Sequence, residues 1–229
     1  MTAAVFDLDG TLYEGHITRG LALHHKTRGV KRFDLALFLA THIPIWWLTR
    51  AGLISDEKMR ATWAQDIPWL VKGWTQDEGE RAFEWIANEY IEPRFKTDIV
   101  ARLKSHQDRG HRVILLSGTP TPMLAAIGKL LGVRDVVGTP IVVKNGRYTG
   151  RSERPVCQGR DKVLRLGEYL SNTEREDLGN GYIYADSFGD RFILQIAGHP
   201  VAVDPDHELQ ALAKQNKWEI LKTPAGPSS

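Results

Sequence analysis

The sequence predicts an α/β protein built on a parallel sheet, and three observations carry that prediction. Short apolar runs alternate along the chain with longer segments of helical period. Strands separated by helices pair in parallel, because a parallel pair needs a long crossover. Three of the apolar runs also stop abruptly at a polar residue, at Asp7, Ser117 and Asp186. In parallel sheets, ligands bind at the carboxyl ends of the strands.

Ala3 to Phe6 is a short apolar run that reads as a buried strand, with a functional loop starting at Asp7. From about Gly15 to Glu92 the period is helical. Leu35, Phe38 and Leu39, then Phe83, Ile86 and Ala87, recur at three- and four-residue spacings. Ser55 and Thr75 precede acidic residues and read as helix N-caps. Six of the seven tryptophans fall in this stretch, which marks it as a separately packed helical module.

After Pro93 the pattern changes. Thr97 to Asp108 reads as a helix stopped at Gly110, Arg112 to Leu116 as a strand, and Thr121 to Leu131 as a helix stopped at Gly132. Val136 to Val143 and Arg147 to Gly150, joined by Asn145-Gly146, read as a β-hairpin. Asp161 to Leu170 and His207 to Gln215 read as helices. Tyr182 to Ala185, Val201 to Val203 and Trp218 to Leu221 read as strands. The expected organisation is a core from 1–14 and 93–222, a helical module over 15–92, and a Pro-, Gly- and Ser-rich tail over 223–229.

Composition narrows the function classes. The chain has 229 residues, 42% hydrophobic and 25% charged, which is ordinary for a globular protein. A net charge of +2 gives no reason to expect a nucleic-acid partner. The apolar stretch from Leu35 to Ile54 is interrupted by His42, Pro44 and Arg50, which argues against a membrane span. With one cysteine, Cys157, and no leader pattern before Asp7, the expected location is the cytoplasm.

Four constellations carry chemistry. Asp7 and Asp9 in Asp7-Leu8-Asp9-Gly10-Thr11 place two carboxylates in one loop, where one can attack as a nucleophile and the other move protons. They also suit a hard cation such as Mg²⁺. Ser117-Gly118-Thr119 offers a hydroxyl and free N–H groups ahead of a helix, a phosphate cradle. Lys162 can neutralise a phosphate and a carboxylate together, with Arg160 as a rival. Asp186 and Asp190, one turn apart, can hold a metal directly or through water. Each also has a plainer reading: an Asx turn or helix cap for the aspartates and hydroxyls, a solvated surface residue for the lysine.

Taken in order, D-x-D-G-T, S-G-T, K and D-S-x-x-D resemble the haloacid dehalogenase superfamily of phosphohydrolases across essentially the whole chain. The helical insert resembles the C1-type cap of the phosphoserine-phosphatase-like subfamily IB, and Gly198 to Asp206 resembles the ending of its hydrolases. The resemblance implies a Rossmann-like parallel sheet with a C1-type helical bundle cap inserted after the first strand. It further implies a Mg²⁺-dependent phosphomonoester hydrolase with an aspartyl-phosphate intermediate. Asp7 is then the nucleophile, Asp9 the acid and base, Ser117 with Gly118 and Thr119 the phosphate site, and Lys162 the charge neutraliser. Asp7, the Asp9 carbonyl and Asp186 hold the metal, supported by Asp190, while Thr11 orients the loop.

One departure bears on substrate. Phosphoserine phosphatases carry Glu nine residues after the nucleophile, and His16 stands there instead. The sequence reading therefore favours a small phosphorylated metabolite. Phosphoserine itself, a lysophosphatidate-type lipid phosphate, transfer to an acceptor other than water, and a non-catalytic binding module are its alternatives. His16, Arg19, His24, His25 and Lys26 are further substrate contacts to examine, as are Trp46, Trp47, Trp63, Trp69 and Trp74. The expected assembly is a monomer or homodimer.

Overall fold

The computed structural model describes residues 2–170 and 177–224. Its centre is a six-stranded parallel sheet ordered β3-β2-β1-β6-β7-β8. The strands are β1 (Ala3–Phe6), β2 (Arg112–Pro120), β3 (Asp135–Thr139), β6 (Tyr182–Ala185), β7 (His199–Val203) and β8 (Glu219–Leu221). β4 (Ile141–Lys144) and β5 (Arg147–Ser152) form a separate antiparallel hairpin.

β1 is apolar throughout because helices cover both faces of the sheet. Alternate residues point to opposite sides. Ala4, Phe6, Leu115, Tyr184 and Val201 join one apolar cluster with helices α5 (Thr97–Asp108) and α6 (Thr121–Leu131). Val5, Ile114, Leu116, Ile183 and Ala202 join the other with α7 (Asp161–Tyr169), α8 (Arg191–Leu194) and α9 (His207–Gln215).

The first cluster runs on without a break into the helices between β1 and β2, through Leu21, Phe38, Phe83 and Ile86. Those helices are α1 (Ile17–Arg28), α2 (Arg32–Arg50), α3 (Asp56–Asp66) and α4 (Gln76–Ile86). Ser55 accepts from the Lys58 N–H at the start of α3. Thr75 and Glu78 form a reciprocal capping box at the start of α4. Both N-caps stand where the sequence places them. α2 is the apolar stretch read from Leu35. No helix among the described residues is long and apolar enough to cross a membrane.

The hairpin prediction is corrected at its first strand. Val136 to Thr139 belongs to β3 and extends the main sheet through Leu115↔Val136 and Leu116↔Val137. Pro140 lacks an N–H and ends that pairing, and the hairpin begins at Ile141. Residues 225–229 of the expected tail lie outside the described residues.

Candidate active site

The order of the sheet reverses direction at β1 and β6, and the site forms at their carboxyl ends, the topological switch point. Phe6 pairs in register with Leu115 on one side and Tyr184 on the other. The next residue is Asp7, whose N–H donates to the Tyr184 carbonyl at 2.9 Å. Ser117 and Asp186 follow a residue or two later on the flanking strands. The three polar strand ends read from the sequence therefore meet in space.

Lys162, in the first turn of α7, lies buried between two carboxylates. Its Nζ is 2.6 Å from Asp7 Oδ1 and 2.6 Å from Asp190 Oδ1. Burial alone would lower the lysine pKa, but the Asp190 and Asp7 charges outweigh it and hold the ammonium well above its ordinary range. Ser187 Oγ donates to the other Asp190 oxygen at 3.0 Å.

Asp7, Asp186 and Asp190 each present a carboxylate oxygen, all within 4.8 Å of one another. Burial pushes Asp7 up to about 6, although the neighbouring Lys162 pulls it down. Asp186 is pushed up to about 8, by burial and then by the Asp7 and Asp190 charges. Lys162 contacts two of these three acids and not Asp186, so their gathered negative charge is incompletely offset. A divalent cation with oxygen preference fits that deficit and that donor set.

Asp9 is held differently. The Tyr13 hydroxyl donates to its Oδ1, and the carboxylate also accepts from the Ile17 N–H. Burial nevertheless lifts Asp9 to about 6. Its side chain is not one of the three clustered acids. Such a group can exchange a proton near neutral pH.

Gly10 lies between these aspartates at φ +82, and a Cβ there would run into the Asp186 carboxylate. Thr11 is fully buried and donates to Asp186 Oδ1 at 3.0 Å and, more weakly, to Asp7 Oδ2 at 3.4 Å. It braces both carboxylates. Ser117 Oγ accepts from the Thr119 N–H and donates to Thr119 Oγ1, both at 3.1 Å. Ser117, Gly118 and Thr119 line the same cavity as Asp7, Asp9, Lys162, Asp186 and Asp190.

Arg160 does not reach this cavity. It is exposed, with its guanidinium 5.1 Å from the Phe192 ring centroid. His16 and Arg19 do line the cavity. Burial, then Arg60 and Arg19, keep His16 below its ordinary pKa. His24 and His25 are buried instead against Trp74, with His25 Nε2 at 2.9 Å from the Leu70 carbonyl, and Lys26 is exposed. Of the tryptophans, Trp46 and Trp63 line the cavity, Trp69 and Trp74 pack on the core, and Trp47 is mostly exposed.

Two site residues escape the sequence reading. Tyr13 is four residues after Asp9, so its reach back was open to inference from spacing alone. Arg60, on α3, lines the cavity and acts electrostatically on Asp9 and Asp186. Only tertiary packing brings it there, and no local signal marks it.

The fold and this site together define a family of hydrolases. The family model for haloacid dehalogenase-like hydrolases matches residues 4–195, and the chain belongs to that family. It is 31% identical over 136 residues to a histidinol-phosphatase of Neisseria meningitidis serogroup C, covering 58% of this chain and 61% of that protein. It is 28% identical over 224 residues to the phosphoserine phosphatase SerB1 of Mycobacterium tuberculosis, covering 95% of this chain and 70% of that one. A Bordetella pertussis crystal structure of unknown function superposes with a TM-score of 0.81 at 24% identity, over 96% of this chain and 99% of that one. The chain is thus an enzyme of a hydrolase family whose named relatives here are phosphatases.

Proposed function

We propose that the protein hydrolyses phosphate monoesters through an aspartyl-phosphate on Asp7. The observation that carries this reading is the convergence at one cavity wall of Asp7, Asp186 and Asp190 within 4.8 Å, with Lys162 2.6 Å from Asp7. Phosphoryl transfer asks for positioning and charge neutralisation, and this arrangement supplies both.

In the first step an Asp7 oxygen attacks phosphorus and the bond from phosphorus to the leaving oxygen breaks. Asp9, protonated, gives its proton to that oxygen and releases the alcohol. In the second step Asp9, now a carboxylate, takes a proton from water. The water oxygen attacks the phosphoryl group, the bond to Asp7 breaks, and inorganic phosphate leaves. Tyr13 holds Asp9 in place for both transfers. Ser117, Gly118 and Thr119 receive the phosphate oxygens, and Lys162 offsets the gathered negative charge.

Asp7 and Asp186, with Asp190 in support and the Asp9 carbonyl, are the groups that would hold Mg²⁺. When bound, Mg²⁺ supplies further neutralisation of phosphate charge. Cys157 is buried and free, which fits a reducing compartment such as the cytoplasm.

The test is turnover of an aryl phosphate with Mg²⁺ by wild type and by Asp7→Asn. Loss of turnover in the variant is expected. Retained turnover in a pure, folded Asp7→Asn preparation would remove Asp7 from the chemistry.

A further inference from the structure

The cavity beside the acidic cluster is larger than a phosphate and a short polar leaving group require. Its volume is about 870 Å³, toward the upper end of the roughly 300–1,000 Å³ that holds drug-sized ligands. Away from the carboxylates one side of its wall is apolar. Leu35, Phe38 and Leu39 come from α2, Met59 and Trp63 from α3, and Leu70 from the turn that follows. The α2 wall reaches the surface, because Leu39 is 36% and Trp46 38% exposed. Elsewhere on α2, Phe33, Ile43, Trp47 and Leu48 are exposed as well.

The polar groups of this region are cationic or neutral. Arg19, Arg50 and Arg60 line it with Thr49, and His16 is kept neutral by burial and by two of those arginines. Among the described residues, the one carboxylate lining it apart from the four aspartates of the site is Asp56, exposed in the first turn of α3. A substrate amine near His16 would meet arginines. A hydrocarbon would displace water from an apolar wall, a favourable exchange.

Resting on the phosphatase reading above, we infer that the leaving group is a long apolar alcohol. Phosphate sits at Asp7 and the hydrocarbon lies along α2 and α3. The substrate class is single-chain amphiphilic phosphomonoesters, whether acylglycerol phosphates or prenyl phosphates. Their hydrolysis follows the two steps already written and yields inorganic phosphate and the free alcohol.

The experiment uses the purified chain with Mg²⁺ and n-alkyl phosphates from ethyl to dodecyl, each below its micellar concentration. Farnesyl phosphate and a monoacylglycerol phosphate serve as additional arms that separate the two sources of chain. The expected kcat/KM rises about fourfold per buried methylene, equivalent to about 0.8 kcal/mol each, until the cavity is filled. Leu39→Gln, at a half-exposed position, and Trp63→Ala should each lower the dodecyl-to-ethyl ratio of kcat/KM at least about tenfold. A flat series in wild type, with ethyl phosphate turned over, would overturn the chain-alcohol inference and leave the phosphatase reading standing. Unchanged ratios in both variants would also overturn it. Failure to hydrolyse every ester, the aryl phosphate included, would overturn both.

Discussion

The ammonium of Lys162 sits 2.6 Å from Asp7, the residue proposed as nucleophile, and the same ammonium is 2.6 Å from Asp190. One buried cation thereby serves two buried carboxylates. Removing one partner of a buried pair typically costs about 3–5 kcal/mol, since the charges left behind are neither solvated nor paired. Lys162→Met is therefore expected to lose about that much stability along with its turnover. The double variant Lys162→Met with Asp190→Asn should recover part of the stability and none of the activity. Urea unfolding and aryl phosphate assays on the same preparations check both halves. Recovered activity in the double variant would mean that Lys162 has no role beyond folding.

Asp186 makes a contrasting prediction, with its sign set by the raised pKa. In the unfolded chain this carboxyl ionises near its ordinary 3.8, whereas burial and its acidic neighbours hold it protonated in the fold up to about 8. The folded state binds the extra proton between those values. Its contribution is greatest below 3.8 and is lost as pH rises toward 8. Asp186→Asn should therefore raise the Tm of the metal-free protein at pH 8 by at least about 2–4 °C, equivalent to about 1 kcal/mol, and by less at pH 5. The same variant should lose turnover and any rise of Tm on adding Mg²⁺. Differential scanning fluorimetry with and without Mg²⁺ at the two pH values reads all of these.

Tyr13 and Asp9 predict a shift in the pH–rate profile. Ionised Asp9 accepts the tyrosine hydrogen bond, which lowers a pKa that burial has raised to about 6. Tyr13→Phe removes that bond, so the pKa rises and the alkaline limb of kcat/KM moves to higher pH. The freed carboxyl is also less well aimed, and kcat at the optimum should fall about tenfold. An unshifted alkaline limb would show that Asp9 is not the acid of the first step.

Gly10→Ala should act on the site more than on the fold. The residue sits at φ +82, where an L side chain is strained, and the new methyl would meet the Asp186 carboxylate. Turnover should fall at least about a hundredfold, about 2.7 kcal/mol of barrier. Far-UV circular dichroism should stay that of wild type. Activity near wild type would mean that the loop relaxes around the methyl without moving Asp186.

Strand ends were the most legible part of this molecule. Buried parallel strands are unbroken apolar runs, so the residue at which a run turns polar stands out, as at Asp7, Ser117 and Asp186. The end of β2 is corrected, because the strand continues through Ser117 to Pro120 past an irregularity after Leu116. Helix starts were legible where a side chain closes the first turn, as at Ser55 and Thr75. Arg160 misled because it is a cation beside a cation. Arg160 stands just before α7 and lies over Phe192, while Lys162 in the first turn reaches Asp7. β3 was merged with the hairpin because Val136 to Val143 is apolar on both sides of Pro140, and only the pairing partners tell the halves apart. Arg60 and the depth of the apolar cavity depend on how α2 and α3 lean over the sheet, which no local pattern encodes.

A covalent bond from Asp7 to phosphorus is the central step of the proposed hydrolysis, and one measurement addresses it directly. A single-turnover mixture of protein, Mg²⁺ and aryl phosphate is quenched in acid, reduced with borohydride and mapped by peptide mass spectrometry. Reduction converts an aspartyl-phosphate to homoserine, and the account predicts that mass change at Asp7 alone, absent without substrate. Phosphate release without any modification at Asp7, or with the change at another carboxylate, would contradict it.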